Sequence, residues 1–483
     1  MTADKPLKLA TRVFYNTAIQ IGGKIVSTLI GLLSIALITR YLGLAGFGSY
    51  ATIIAFVSFF AALADLGMTL VTSQMISRPQ ADQSRILNGL FGLRLLSIVA
   101  ILALAPIVGS FFPYSPAVKI GILISTLSYI FPALNQIIIG LLQKHLRLDR
   151  AAIAEVFGRL LLIAGIFWVV KTDAGLNGLL WIHVISAAGS FFLAYFLASA
   201  IHWLRPRFDF IFWRKILLQS WPLALTTLLN LIYLKSDTIA LSLSRPSEEV
   251  GLYAAADRAV EILSTLPFLF AGIILPILTR AWAENKKDYF KKILQKSLDL
   301  MSIIAIPLII GTFILGDSVI VLLAGEEYMA SGLILKILIL AVAGVFIGCI
   351  FSHAILAIDK QKKIISAYAF IALSSLILYV LLIPRWSYLA AALITVYSEW
   401  ALAYLAIRLV KKHTDFQINF RALKKSLLAA LIMGLAILIP PKHLSWHWLS
   451  LLVIIIGASL IYFISLYLLK GLTKADLRIL KRH

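Results

Sequence analysis

The sequence is poor in cysteine and in acidic residues. Cys349 is its single cysteine, which excludes an intrachain disulfide and a cysteine-based zinc site. Aspartate and glutamate number 22 against 44 lysines and arginines, so the formal net charge is +22. Charged residues make up only 14% of the chain, whereas 61% of the residues are hydrophobic. A soluble domain could not bury that much apolar surface.

The sequence motifs of many enzymes and of nucleotide-driven pumps are also missing. There is no G-x-x-x-x-G-K-[ST], no H-E-x-x-H, no zinc-ligand spacing and no G-x-S-x-G. No long outer segment between the apolar stretches carries the paired carboxylates that a membrane glycosyltransferase or polymerase would need. These absences argue against an enzyme and predict no catalytic residue, no metal site and no cofactor.

Long apolar segments recur along the whole chain instead. Segments of about 20 to 25 residues are long enough to cross the hydrocarbon core of a bilayer, which is about 30 Å thick. Because lipid offers no hydrogen-bond partners, only helices and closed barrels span it. We therefore predict an all-α polytopic membrane protein with about 14 transmembrane helices. The predicted spans are 15–39, 48–73, 87–110, 117–142, 152–170, 177–202, 216–243, 250–280, 295–316, 331–357, 364–383, 387–410, 427–440 and 446–470.

Basic residues alternate between the connections. Every second connection carries a cluster, such as Arg205/Arg207/Arg214/Lys215 or Lys360/Lys362/Lys363, and those between them carry little more than isolated cations. Cytoplasmic loops of membrane proteins are enriched in lysine and arginine, so this alternation places both termini in the cytoplasm. It also predicts membrane lipids as partners and argues against nucleic acid.

A weak internal repeat predicts two pseudo-symmetric lobes. Gly48-Ser-Tyr50-Ala51 opens the second span, and Gly251-Leu-Tyr253-Ala254 opens the eighth, 203 residues later. Both halves would start inside, so the repeat is parallel and its axis follows the membrane normal. We predict an N-terminal lobe at 1–203 and a basic linker at 204–215. A C-terminal lobe at 216–410 follows, and then two additional helices with a basic tail at 411–483.

Charged residues within the spans are the strongest functional signal. A charge at mid-membrane costs about 2.5–3.5 kcal/mol on insertion scales, so such residues usually face an interior pathway. The first half contains Lys24, Asp65, Arg94, Glu155 and Arg159. The second half contains Lys235, Asp237, Asp257, Arg258, Glu261, Lys336 and Glu399. Asn230 could line the same interior.

Two interpretations of these charges stay open from the residues alone. Arg94 has no acidic neighbour in its own helix, which suggests contact with an anionic substrate, and phosphate groups favour arginine and lysine. Alternatively, the pairs Lys24–Asp65 and Arg258–Glu261 are structural ion pairs. Lysines 235 and 336 could extend to the membrane surface, and Asn230 could form an interhelical hydrogen bond.

Several motifs resemble one family of transporters. They are N-x-x-x-Q-x-x-x-K (Asn16, Gln20, Lys24), Leu37–Ala51, A-D-L-G (Ala64–Gly67) and G-L-Y-A-A-A-D-R-A-V-E (Gly251–Glu261). Together with the predicted helix count, they resemble the polysaccharide transporters of the multidrug/oligosaccharidyl-lipid/polysaccharide exporter superfamily, in particular Wzx-type O-antigen flippases. The resemblance covers essentially the whole chain.

This resemblance implies translocation of an undecaprenyl-pyrophosphate-linked oligosaccharide across the bacterial inner membrane. It also implies polysaccharide polymerase and chain-length proteins as partners. Our hypothesis assigns substrate contacts to Lys24, Arg94, Lys235, Arg258 and Asn230. It assigns pairing, or the uptake of coupling protons or sodium, to Asp65, Asp237, Asp257 and Glu261.

Alternative functions differ in what they require of the sequence. A multidrug antiporter of the same superfamily usually has twelve helices and fewer cations in its cavity. A lipid II flippase shares the fourteen helices but is expected to carry more arginine in helices 1 and 2. A membrane-embedded polymerase or ligase needs a long outer loop. A purely structural scaffold is disfavoured by so many charges within the spans.

Overall fold

The fold is all-helical. The structure is a computed structural model and describes residues 6–65, 68, 83–145, 147–439 and 448–471. These residues contain twelve α-helices, a short 3-10 turn at Glu326–Tyr328 and no strand. The helices are α1 (Pro6–Asp65), α2 (Gln83–Ser110), α3 (Pro116–Lys144), α4 (Leu148–Thr172), α5 (Gly175–Ser199), α6 (Phe210–Ser244), α7 (Ser247–Ala283), α8 (Lys287–Ala324), α9 (Ser331–Ala357), α10 (Gln361–Thr414), α11 (Arg421–Leu438) and α12 (Trp448–Leu468).

Ten of these helices, all except α6 and α11, are long and apolar enough to cross a membrane. The predicted all-α polytopic membrane fold is therefore confirmed. The count of fourteen spans and the side of the termini stay predictions. Residues 66–73 of the second predicted span, apart from Met68, lie outside the described residues. So do residue 440 and residues 446 and 447 at the ends of the last two predicted spans.

Two of the long helices are broken where the sequence predicts a connection. Helix α1 has 60 residues, which would extend about 90 Å if straight, roughly three times the hydrocarbon core. Its backbone turns at Gly43, where φ is 64° and ψ is −175°, a conformation that glycine adopts without a steric penalty. Helix α10 breaks at Ser387, with φ 53°, shortly after Pro384. The break at Gly43 lies in the junction between predicted spans 1 and 2, and the break at Ser387 lies at the first residue of predicted span 12, directly after the junction with span 11.

The chain forms two compact units, one up to Gly251 and the other from Leu252. The boundaries of the predicted lobes and linker stay a prediction. In the first unit, apolar side chains of α2 to α6 form a core, for example Leu90, Ile138 and Trp213. In the second unit, Tyr462 of α12 donates a hydrogen bond to the carbonyl of Ile303 in α8 (2.7 Å). Buried residues of α11 pack in the same core.

The first residues of the two repeat motifs, Gly48 and Gly251, lie at close backbone contacts within the first unit. A Cβ atom added to Gly48 would lie 1.7 Å from the carbonyl oxygen of Ser247. One added to Gly251 would lie 2.3 Å from the carbonyl oxygen of Leu44. Ser247 precedes Gly251 by four residues, and Leu44 precedes Gly48 by four. The two contacts are therefore related by the same offset of 203 residues. The two glycines therefore allow residues 44–48 and 247–251 to approach closely, where a larger side chain would clash.

The basic segment Trp203–Lys215 is attached to the start of α2. The side-chain oxygen of Asn88 accepts a hydrogen bond from the backbone N–H of Arg205 (3.0 Å), and its carbonyl accepts one from Arg207 (3.1 Å). The indole of Trp213 donates to the carbonyl of Gly89 (2.8 Å). The segment therefore follows the surface of α2, through backbone contacts that its basic composition does not reveal.

Asp209 lies within this segment and caps α6. Its Oδ1 accepts the backbone N–H of Phe212 (3.0 Å), and its Oδ2 lies 2.8 Å from Nη2 of Arg85. The hydrogen bond from Phe212, followed by that from Arg85, lowers the pKa of the Asp209 carboxyl, because both favour the ionised form.

The single cysteine lies in the second unit. Cys349 is buried in α9, and its sulfur is 3.7 Å from Nδ1 of His353, one turn later. The same ring nitrogen lies 2.8 Å from the carbonyl oxygen of Cys349. The thiol is therefore enclosed by its own helix and its neighbours.

Candidate functional site

A buried ion pair joins the second predicted span to the third. Nη2 of Arg94, in α2, bonds Oδ1 of Asp65 at the end of α1. Only 4% of the Arg94 side chain is exposed, against 22% for Asp65. The hydroxyl of Ser97 donates to the carbonyl of Ala64 (3.2 Å), so a second hydrogen bond joins the same two helices. A buried guanidinium requires such a counter-charge, because an isolated buried charge is strongly destabilising.

A second ion pair joins α1 to α4 and is open to its surroundings. Nζ of Lys24 lies 3.4 Å from Oε1 of Glu155, and the two side chains are 50% and 41% exposed. The helices approach closely beside this pair, since a Cβ atom on Gly23 would lie 2.9 Å from the Cβ of Ala152. At that distance and exposure, the pair is loosely held and accessible to other ions.

These two pairs correct one expectation from the sequence. The proposed Lys24–Asp65 pair is wrong, because Lys24 pairs with Glu155 and Asp65 pairs with Arg94. Arg94 indeed has no acidic neighbour in its own helix, but a carboxylate partner comes from another helix.

Arg159 adds a third cation to this part of the first unit. It lies one turn after Glu155 in α4, is half-buried, and has no carboxylate within ion-pair distance among the described residues. Residues four apart share a helical face. Glu155 and Arg159 are charges within a predicted span, but they were not among the predicted site residues. Their spacing was the signal that could have placed them beside each other.

Helix α6 contributes the polar residues Asn230, Lys235 and Asp237. Asp237 is buried, and its Oδ1 accepts the backbone N–H of Thr238. Lys235 is half-buried and two residues away, so it lies on a different face of the helix. The side-chain oxygen of Asn230 is buried and has no hydrogen-bond partner among the described residues. The proposed interhelical hydrogen bond of Asn230 is therefore not made through that oxygen here.

The second unit contains the predicted group on α7. Nη1 of Arg258 lies 2.6 Å from Oε2 of Glu261, three residues later. The Arg258–Glu261 ion pair that the sequence left open as an alternative is therefore present. Asp257 is half-buried beside them, and Glu261 is partly exposed. The structure thus places Asp257, Arg258 and Glu261 in one unit and the other predicted site residues in the other.

Two further charges of the second unit differ in their surroundings. Nζ of Lys336 lies 2.6 Å from Oδ2 of Asp317, so this lysine pairs with a carboxylate. Glu399 of α10 is only 7% exposed and packs against Gly344 of α9. Among the described residues, it has no ion-pair or hydrogen-bond partner. No three His, Cys, Asp or Glu side chains of the described part form a metal-binding group.

Two relatives have names that bear on function. The probable flippase AglR of Haloferax volcanii is 23% identical over 411 residues, which are 82% of this chain and 83% of AglR. The capsular polysaccharide biosynthesis protein CapF of Staphylococcus aureus is 24% identical over 285 residues, which are 58% of this chain and 71% of CapF.

Solved structures of transporters share the fold. The lipid II flippase MurJ in an inward closed conformation has a TM-score of 0.75 and 19% identity, over 93% of this chain and 98% of MurJ. An inward-facing multidrug transporter of the MATE family, from the MOP superfamily, has a TM-score of 0.65 and 17% identity, over 83% of this chain and 96% of its own. At these identities the likeness shows the fold alone.

A family match completes the comparison. The family described as polysaccharide biosynthesis protein matches residues 13–282, which is more than half of the chain. This match confirms the resemblance that the motifs of the first two spans and of α7 indicated, and it is in line with a transporter rather than an enzyme. The protein is thus a member of the polysaccharide biosynthesis protein family, with the multi-pass membrane fold of the MurJ and MATE transporters.

Proposed function

We propose that the protein is a flippase. It moves an undecaprenyl-pyrophosphate-linked oligosaccharide, the repeat unit of O-antigen or of a related polysaccharide, from the inner to the outer leaflet of the bacterial inner membrane by alternating access. The family match and the probable flippase AglR support this proposal. The observation that carries it is the half-exposed cation Lys24 in a membrane-spanning helix, held only by a loose ion pair.

The ion pair of Lys24 and Glu155 is suited to exchange with a pyrophosphate. A pyrophosphate carries more negative charge and more acceptor oxygens than one carboxylate, and charge-assisted hydrogen bonds to phosphate are strong. In our proposal the substrate displaces Glu155 from Lys24 and is also bound by Arg159, one turn along α4. Glu155 is then free to take up a proton or sodium ion, which would couple transport to an ion gradient.

Arg94 has a different role in this proposal. Its guanidinium is buried against Asp65, so it holds α2 against α1 and does not face the pyrophosphate. Arg258 remains the proposed substrate contact of the second unit, and Lys235 and Asn230 of α6 remain proposed contacts of the first. Asp65 and Glu261 act as pairing residues. Asp237 and Asp257 remain proposed sites of ion uptake.

Complementation of a bacterial strain that lacks its O-unit flippase tests the proposal. The lipopolysaccharide ladder is compared for wild type, Lys24→Ala and Arg159→Ala, with membrane levels of each protein measured. Arg408→Gln is the matched control, because Arg408 is an exposed arginine of α10. We expect wild type and the control to restore the ladder, and both alanine variants to lose most of it at normal protein level.

Other results would redirect the proposal. A ladder that survives both alanine substitutions would overturn the assignment of Lys24 and Arg159. If well-expressed wild type restores no ladder, the same alleles are tested in a strain depleted of its lipid II flippase. Growth there would indicate lipid II as substrate, and growth only under drug challenge would indicate a multidrug antiporter.

A further inference from the structure

A small open cavity lies at one end of α4 and α5 and is separate from the charges discussed above. Its volume is about 280 Å³, and it is lined by Arg150, Phe196, Leu197, Ser199, Ala200 and Trp203. Both connections that border it, 144–150 and 203–215, belong to the basic set that the sequence places on the cytoplasmic side. The cavity is therefore at the level of the inner-leaflet headgroups.

The cavity combines one fixed cation with one fixed aromatic ring. Nη1 of Arg150 donates to the carbonyl of Leu197, which orients the guanidinium. No carboxylate among the described residues pairs with it, so its charge is available to an anion. The hydroxyl of Tyr195 donates to the carbonyl of Leu204 (2.7 Å), and its ring contacts Trp203 edge-on, with centroids 5.9 Å apart. Trp203 is thus held in place while its ring stays exposed.

An exposed apolar stripe runs along α5 into the cavity. Ile185, Phe192 and Phe196 are exposed, and their spacing of seven and four residues places them on one helical face. From Ile185 to Phe196 the helix rises about 16 Å at about 1.5 Å per residue. That is close to the thickness of one leaflet of hydrocarbon, about 15 Å. An acyl chain can lie along this stripe while its headgroup reaches Arg150.

We propose that this cavity binds an acidic phospholipid of the inner leaflet. Arg150 contacts the lipid phosphate, Trp203 packs against the glycerol and headgroup region, and Phe192 and Phe196 contact an acyl chain. Arginine matches phosphate geometry through several N–H donors, and tryptophan is favoured at the membrane interface. The occupant is a lipid rather than a free phosphate, because the apolar stripe continues directly from the cation. This site does not depend on the transported substrate.

Lipid retention measured by native mass spectrometry tests this site. The full chain is purified in detergent with equal amounts of phosphatidylglycerol and phosphatidylcholine. Wild type is compared with Arg150→Gln, Trp203→Ala and the control Arg214→Gln, an exposed arginine of α6 outside the cavity. We expect wild type and control to retain phosphatidylglycerol preferentially. Arg150→Gln should weaken its retention about tenfold, as expected for loss of one hydrogen bond to a charged group.

Each alternative result overturns the proposal. Equal retention of both lipids by wild type, or an equal loss in Arg214→Gln, would mean that no specific site exists. Displacement of the lipid by millimolar inorganic phosphate would identify a free-anion site. If Arg150→Gln does not yield a monodisperse protein, Trp203→Ala decides, because unchanged retention in that variant contradicts the proposed headgroup contact.

Discussion

The buried ion pair between Arg94 and Asp65 makes an asymmetric prediction for stability. Asp65→Asn removes the counter-charge and leaves a guanidinium whose side chain is only 4% exposed. Breaking a buried pair in this way costs about 3–5 kcal/mol. For Asp65→Asn we expect a loss of about 3 kcal/mol in the free energy of unfolding, the lower end of this range, because the 22% exposure of Asp65 shows that the site is partly open.

The opposite substitution should be milder. Arg94→Met keeps an apolar chain of similar length and leaves Asp65, whose partial exposure allows the carboxylate to be solvated. The loss is therefore about 1 kcal/mol, near the lower end for an unpaired polar group. The double variant Arg94→Met/Asp65→Leu replaces the pair by apolar side chains, a change that is often neutral or stabilising.

Thermal unfolding in detergent, followed by circular dichroism at one scan rate, provides the measurement. The expected order of midpoints is Asp65→Asn lowest, Arg94→Met next, and the double variant close to wild type. A double variant less stable than either single variant would refute the view that burial of Arg94 dominates this pair. If the double variant also restores the lipopolysaccharide ladder, Arg94 does not contact the substrate.

Three further predictions concern other parts of the chain. Gly48→Ala should lower the unfolding midpoint by the equivalent of about 1–3 kcal/mol, because its Cβ would lie 1.7 Å from the Ser247 oxygen. In Gly31→Ala the new Cβ meets no atom within 4 Å, so the better helix propensity of alanine should raise the midpoint. An equal fall of the midpoint in Gly48→Ala and Gly31→Ala would contradict this steric explanation. Glu399→Gln should leave the midpoint unchanged or raise it, since it removes a buried carboxyl that has no partner among the described residues; a clear fall would disprove this. The lowered pKa of Asp209 means that its stabilising contribution is present above the ordinary pKa of an aspartate and is lost as the pH falls through the lowered value. Asp209→Asn should therefore lower the midpoint at neutral pH and not at strongly acidic pH, and a constant difference across pH would contradict it.

Hydrophobic length predicted most of the fold. A run of about 20 apolar residues has few structural solutions in lipid, so the all-helical membrane fold and the breaks near Gly43 and Ser387 followed from the sequence. The break at Gly43 could be predicted because a turn between two spans often requires a residue that tolerates positive φ, and glycine does so.

The partners of the charged residues could not be predicted in the same way. Lys24 and Glu155 are 131 residues apart, and their contact depends on how α1 and α4 are rotated against each other. Hydropathy shows that a charge within a span needs a partner, but it does not fix helix rotation. Lys24 and Arg94 both lie in predicted spans next to that of Asp65, so the sequence offered two cations for one carboxylate and did not decide between them.

The attachment of residues 203–215 to α2 was also not predictable. It depends on the backbone of Arg205 and Arg207 and on the amide of Asn88. Backbone hydrogen bonds are available to almost any sequence, so they leave no pattern in composition or periodicity.

The enclosed thiol of Cys349 has a practical consequence for following the transport cycle. Thiol-directed probes require an accessible thiolate, and the chain has no second native cysteine that could compete for them. Cysteines introduced at exposed positions of the two units can therefore carry spin labels or fluorophores without prior removal of Cys349. Distances between such probes, with and without lipid-linked oligosaccharide, would test the proposed alternating access.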